Sequence, residues 1–191
     1  MTRFYRLVRA IVVRFIFTLL YPLKIVGKEN IPLEGAVILC ANHISMLDPL
    51  ALILACPRQI RFMAKEELFA NKLVGWVLKN MGAFSIKRGE SDLASVRLAL
   101  QILKEDNVFG IFPEGHREKG TEAKAIHSGT SMIALRSGAV TVPVYISGKW
   151  RLFRRTTVYI REPVALDEYK PANVRNMELA NVKIADAIWQ D

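Results

Sequence analysis

The stretch AVILCANHISMLDP, residues 36–49, decides the reading of this chain. Ala36–Ala41 is apolar without interruption, the pattern of a strand covered on both faces. The polar break Asn42–Asp48 follows, and Pro49 suits the first turn of a helix that runs on to Ala55. A covered strand that passes through a short polar turn into a helix is the repeating unit of α/β domains, and ligands collect at the carboxyl ends of such strands.

The same alternation continues outward. Leu23–Val26, Ile60–Ala64, Ala83–Lys87, Val108–Phe112 and Val140–Ile146 read as strands, and Arg155–Arg161 alternates like a strand with one wet face. Glu66–Asn80, Ser91–Lys104, Gly129–Ser137 and Met177–Trp189 read as helices, with Ser91 or Asp92 capping the second of these. The pattern predicts one α/β domain over residues 23–191, with a largely parallel or mixed central sheet flanked by helices. A chain of 191 residues, 51% hydrophobic and 24% charged, suits one globular domain with a substantial core.

Residues 1–22 form a separate N-terminal segment. Positions 4–20 are apolar except for Arg6, Arg9, Arg14 and Thr18. Arginines at the centre of a bilayer cost about 2.5–3.5 kcal/mol each, so this is a poor transmembrane helix. They also interrupt the apolar region of a signal peptide, and no small-x-small cleavage site follows. At helical pitch Arg3, Arg6, Arg9 and Arg14 fall within an arc of roughly 140°. Phe4, Tyr5, Val8, Ile11, Val12, Phe15, Ile16 and Leu19 take the other side. This predicts an amphipathic helix lying in a membrane interface, its cations at lipid headgroups. The alternative is a helix whose apolar side packs on the domain while its arginines stay in water. Tyr21-Pro22 closes the helix in either case.

Charge points the same way. Lys plus Arg number 27 against 18 Asp plus Glu, for a net +9 and a pI of about 9.8. The excess favours an anionic partner, whether a membrane leaflet, a phosphorylated substrate or nucleic acid. Nucleic acid is set aside, because the chain has no recognisable nucleic-acid module or concentrated basic stripe. Cys40 and Cys56 both lie in apolar runs and read as buried thiols, without metal-ligand spacing.

Three polar breaks follow strand-like runs: Asn42–Asp48, Lys87–Gly89 and Pro113–Gly120. The first holds His43 and Asp48. A histidine can take a proton near neutral pH, and a neighbouring carboxylate can fix its tautomer and stabilise the imidazolium. Five positions do not share one helix face, so the pair requires His43 in the turn and Asp48 at the helix start. The competing reading makes Asp48 an N-cap, with Ser45 and Asp48 as an alternative capping pair and His43 idle; spacing leaves both open. The second break offers Lys87 and Arg88, the third Glu114, His116, Arg117, Glu118 and Lys119, which together suit a phosphorylated acceptor. Phosphate-loop glycine motifs and a G-x-S-x-G elbow are absent from the sequence.

These segments resemble the glycerolipid acyltransferases of the 1-acyl-sn-glycerol-3-phosphate acyltransferase type. The family's N-H-x-x-x-x-D motif corresponds to Asn42–Asp48, and a glycine and apolar run leading to arginine to Gly82–Arg88. Its F-P-E-G turn with a following arginine corresponds to Phe112–Arg117, and its apolar segment around proline to Val140–Val144. The resemblance spans about residues 23–165, with all four motifs in order. It implies that His43, oriented by Asp48, acts as general base on a lysolipid hydroxyl, which attacks the thioester of acyl-coenzyme A or acyl carrier protein without an acyl-enzyme intermediate. It implies further that Arg88, Glu114, Gly115 and Arg117 bind the glycerol phosphate of lysophosphatidate, that phosphatidate is the product, and that no metal or bound cofactor takes part. The implied setting is the cytoplasmic face of the cell membrane, with anionic phospholipids as partners. Two positions depart from the pattern: His116 stands where threonine is commonest, and Ile126-His127-Ser128-Gly129 replaces F-K-x-G. Other lysolipid acceptors, including an acylated amino-acid lipid, and a non-catalytic lipid-binding protein are the alternatives.

Overall fold

The computed structural model describes residues 1–86, 92–114 and 126–190. Seven strands form one mixed sheet: β1 (Leu23–Val26), β2 (Val37–Ala41), β3 (Ile60–Lys65), β4 (Phe84–Ile86), β5 (Val108–Ile111), β6 (Val140–Ile146) and β7 (Thr156–Ile160). Their order across the sheet is β1-β7-β6-β2-β5-β3-β4, and every pairing is parallel except β6 with β7. The helices are α1 (Arg3–Val8), α2 (Asp48–Ala55), α3 (Lys72–Asn80), α4 (Asp92–Lys104), α5 (Ser128–Ser137) and α6 (Val174–Trp189).

The period of two along β2 explains the layering. Val37, Leu39 and Ala41 face a core shared with α2 and the N-terminal helix, while Ile38 and Cys40 face one shared with α4, α5 and α6. Both faces of β2 are therefore covered, as its uninterrupted apolar run requires. Along β7 the burial alternates, as expected for a strand with a wetter face.

Three local expectations are revised. The stretch Glu66–Asn80 is not one helix: a 3-10 turn at Glu66–Phe69 precedes α3, and Asn71 caps α3 by accepting the Leu73 and Val74 N–H groups at 3.0 and 3.2 Å. Asparagine competes well for a helix start, so the chain breaks there. The N-terminal helix continues past α1 through two π-helical turns, Arg9–Val13 and Ile16–Leu20. These wider turns change the phase of the helix, so its apolar residues divide. Tyr5, Val13 and Phe17 are buried in the domain core with Phe4, Val8 and Ile16 against them, whereas Leu7, Ile11, Val12, Phe15 and Leu19 stay exposed. The arginines divide as well, because Arg9 donates from Nη2 to the Leu54 carbonyl at 3.1 Å.

Gly110 in β5 is a packing requirement. A Cβ there would overlap the Phe62 ring and lie 2.9 Å from Ile60 Cγ2. Gly110→Ala is expected to cost about 1–3 kcal/mol by overpacking, read as a lowered denaturation midpoint. It should also slow turnover, because Phe62 is stacked on the ring that supports the site.

Candidate active site

Parallel pairing at the centre of the sheet brings the predicted breaks together. Cys40 in β2 pairs with Ile111 in β5, so the turns that follow leave the same edge side by side. The first carries Asn42–Leu47 and the second Phe112–Glu114. On the other side β2 pairs with β6, and Asn42 locks the two strand ends. Its Nδ2 donates to the Ile146 carbonyl at 3.0 Å, and its Oδ1 accepts the Ile146 N–H at 2.7 Å.

His43 and Asp48 meet. His43 Nδ1 lies 2.9 Å from Asp48 Oδ2, with the histidine side chain 16% exposed and the aspartate fully buried. The same oxygen accepts the backbone N–H groups of Ile44 and Ser45, both at 2.6 Å. Asp48 Oδ1 accepts the Trp150 Nε1–H at 2.7 Å. Three N–H donors besides Nδ1 converge on this carboxylate, which only accepts, so the shared proton belongs on Nδ1 and, among the described residues, the Nε2 lone pair of His43 is left to take another.

This geometry corrects the capping alternative. The residue before α2 is Leu47, which makes no side-chain cap, and Asp48 is already the first residue of the helix, with proline next. The carboxylate turns back over the preceding loop instead of bonding forward into the helix. Ser45 does not cap either: its Oγ accepts the Leu47 N–H at 3.2 Å, closing the turn locally.

The His43 ring is held from two further directions. Phe112 stacks on it at 4.1 Å between centroids, inclined by 22°, and Phe62 lies parallel to Phe112 at 6.2 Å. Buried Glu114 accepts the His43 backbone N–H at 3.0 Å through Oε2. Glu114 therefore stands beside the dyad and braces its turn. Arg88, Gly115 and Arg117, like Lys87, His116, Glu118 and Lys119, lie outside the described residues. β4 ends at Ile86 beside Lys65 of β3, at the same carboxyl edge of the sheet as His43.

Both cysteines are free and buried, and burial pushes the Cys40 thiol up to about 12 and raises that of Cys56. Neither is a thiolate nucleophile. The arrangement therefore offers proton transfer at His43 Nε2 beside a partly open turn.

Trp150 was not among the residues singled out from sequence. It lies 102 positions from Asp48, in an irregular segment after β6. The only signal was chemical: an indole N–H near a strand end needs an acceptor when it is shielded from water.

The sequence profile of the Acyltransferase family matches residues 22–147. The chain is 34% identical to the 1-acyl-sn-glycerol-3-phosphate acyltransferase of Bacillus subtilis over 126 residues, which are 65% of this chain and 62% of that protein. It is 37% identical to the lyso-ornithine lipid O-acyltransferase of Pseudomonas aeruginosa over 110 residues, 56% of this chain and 41% of that one. The crystal structure of the 1-acyl-sn-glycerophosphate acyltransferase PlsC from Thermotoga maritima superposes with a TM-score of 0.69 at 25% identity, covering 95% of this chain and 75% of PlsC. The chain thus spans less than two thirds of the length of these two curated relatives.

Proposed function

The chain belongs to the acyltransferase family, and from that premise we propose that it is a 1-acyl-sn-glycerol-3-phosphate O-acyltransferase, making phosphatidate from lysophosphatidate at the cytoplasmic face of the cell membrane. The observation that carries this reading is the His43–Asp48 contact, with Nδ1 engaged and Nε2 left to act as base. Nε2 takes the proton of the sn-2 hydroxyl as its oxygen attacks the thioester carbonyl of acyl-coenzyme A or acyl carrier protein. The new C–O bond forms, the C–S bond breaks, and the imidazolium returns its proton to the departing sulfur. Asp48 stabilises the imidazolium between these steps. Arg88, Glu114, Gly115 and Arg117 are assigned to the acceptor's glycerol phosphate. The steps need no metal or bound cofactor.

Mixing the purified protein with several thioester donors and lysolipids, and identifying products by mass spectrometry, tests the reading. Phosphatidate from lysophosphatidate is the expected product. Formation of diacylated product only from a lyso-ornithine lipid, the acceptor named for the Pseudomonas relative, would move the acceptor to an amino-acid lipid. No product from any donor would leave a lipid-binding protein.

Membrane attachment belongs to the same proposal. Among the described residues no helix is long and apolar enough to cross a membrane. Leu7, Ile11, Phe15 and Leu19 are 53–59% exposed and recur every four residues. In a pure α-helix that repeat would drift by about 40° per step, and the wider π turns offset the drift, so the four side chains form one stripe. Leu73, Val74 and Trp76 of α3 are exposed as well, and Trp76 meets Phe4 edge-on at 4.9 Å. Ile11→Asp/Phe15→Asp is expected to lower sedimentation with anionic liposomes at least ten-fold, since each buried apolar side chain contributes about 1.5–3 kcal/mol. Unchanged sedimentation would reject the stripe. Deleting residues 1–20 would be a poorer test, because it also strips Tyr5, Val13 and Phe17 from the core.

A further inference from the structure

The segment between β6 and β7 links the N-terminal helix to Asp48. Residues 151–155, Arg-Leu-Phe-Arg-Arg, are all exposed. Leu152 and Phe153 are 52% and 66% exposed, between Arg151 on one side and Arg154 and Arg155 on the other. Phe153 holds a φ of 58°, a conformation that is a genuine outlier for a bulky side chain and is kept here with no burial in return. The segment is tied to the end of the N-terminal helix: the Phe153 N–H donates to the Leu20 carbonyl at 2.7 Å, and the Thr156 N–H to the Pro22 carbonyl at 3.0 Å. Its exposed tip therefore lies against the end of the helix that carries the stripe, one residue past Leu19. At its other end Trp150 packs on Phe17 at 5.4 Å and Tyr21 at 6.2 Å while donating to Asp48.

We propose that the Arg151–Arg155 loop is a second contact for an anionic bilayer and that Trp150 is a positioning residue through which this loop holds Asp48. Two exposed apolar side chains framed by three guanidinium groups match a surface of acyl chains beneath anionic headgroups. The backbone tie at Leu20 and Pro22 sets the loop beside the end of the Leu7–Leu19 stripe. Trp150 does not touch the reacting atoms. It fixes Oδ1 of Asp48, as Ile44 and Ser45 fix Oδ2, and so sets the orientation of the imidazole.

The inference rests on the transferase reading for its catalytic half, and the test separates the two. Leu152→Ser/Phe153→Ser alters only exposed side chains and should melt like the parent protein. Flotation with vesicles of equal phosphatidylglycerol and phosphatidylcholine is expected to fall about ten-fold or more for this variant, with turnover of vesicle-borne lysophosphatidate falling in step. Turnover of a short-chain acceptor dispersed as monomers should stay at the parent rate. Trp150→Phe, which keeps a ring and removes the N–H, is expected to lower kcat about ten- to hundred-fold with both acceptor forms, with KM changed less than about two-fold. Parental flotation of the double serine variant overturns the lipid contact. Parental kcat in Trp150→Phe, or a rise in KM alone, overturns the positioning role. If the parent protein transfers no acyl group to either acceptor, the transferase reading fails, and the indole N–H resonance of Trp150 then decides the contact. A downfield position lost in Asp48→Asn supports it, and a resonance indifferent to that substitution rejects it.

Discussion

His43→Ala is expected to lower kcat by about 10²–10⁴-fold while leaving KM for the thioester donor nearly unchanged. General-base assistance contributes about this much to proton transfer, and no other described group stands where Nε2 does. The fold should survive the change. The imidazole is only partly buried, its backbone N–H still reaches Glu114, and Phe112 loses a stacking partner without losing its contact with Phe62. A thermal melt within a few degrees of the parent, together with near-zero turnover, is the expected pair of measurements. Near-parental turnover would remove His43 from the mechanism.

Asp48 should respond differently, in both activity and stability. Asp48→Asn preserves volume, but its one oxygen goes to the three donors on the Oδ2 side, its NH2 group meets the Trp150 N–H, and the charge that stabilises the imidazolium is lost. A fall of about 10²–10⁴ in kcat is expected. Asp48→Ala leaves two backbone N–H groups and an indole N–H, all partly buried, without their fully buried acceptor. Unsatisfied buried donors cost about 1–3 kcal/mol each, and emptying a buried charged cluster typically costs about 3–5 kcal/mol in total. The variant should therefore unfold at a markedly lower denaturant concentration, a loss His43→Ala does not share. If Asp48→Ala were as stable as the parent, the convergence of donors on its carboxylate would be wrong.

Much of the architecture was legible because its signals are local. The apolar run at Ala36–Ala41 announces a strand covered on both sides, and the change of period at Pro49 announces a helix; both elements form within a residue of the expected bounds. The division of the helix at Asn71 was missed because apolar periodicity runs on through it, while the cap is a single polar side chain. The π turns were missed for a related reason, since a four-residue apolar repeat resembles a slightly irregular α-helix. Sheet order depends on contacts between distant segments, and no local pattern specifies that β5 inserts between β2 and β3.

The site was legible to the same depth. His43 and Asp48 were visible as a pair five residues apart, yet spacing alone could not choose between a dyad and a cap. The choice is made by donors that arrive from the loop backbone and from Trp150. The indole follows β6, the strand paired with β2, and its partner lies 102 positions away, so it cannot be read from its own surroundings. Glu114 was visible as part of an acidic and basic turn, but its contact with the His43 backbone needs the register of β2 against β5.

One consequence follows from the way the N-terminal helix is held. Tyr5, Val13 and Phe17 fix it to the sheet from within, so under the proposed membrane contact it would be ordered beforehand and lose no conformational freedom on contact, unlike a segment that folds as it binds. The outer stripe and the imidazole are then parts of one rigid body. The height of Nε2 above the plane of the stripe is set by the protein, much as a fixed blade sets the depth of a cut. With the stripe seated in a leaflet as proposed, an acceptor would be selected by how far its hydroxyl stands from the acyl region, before its headgroup is read at all.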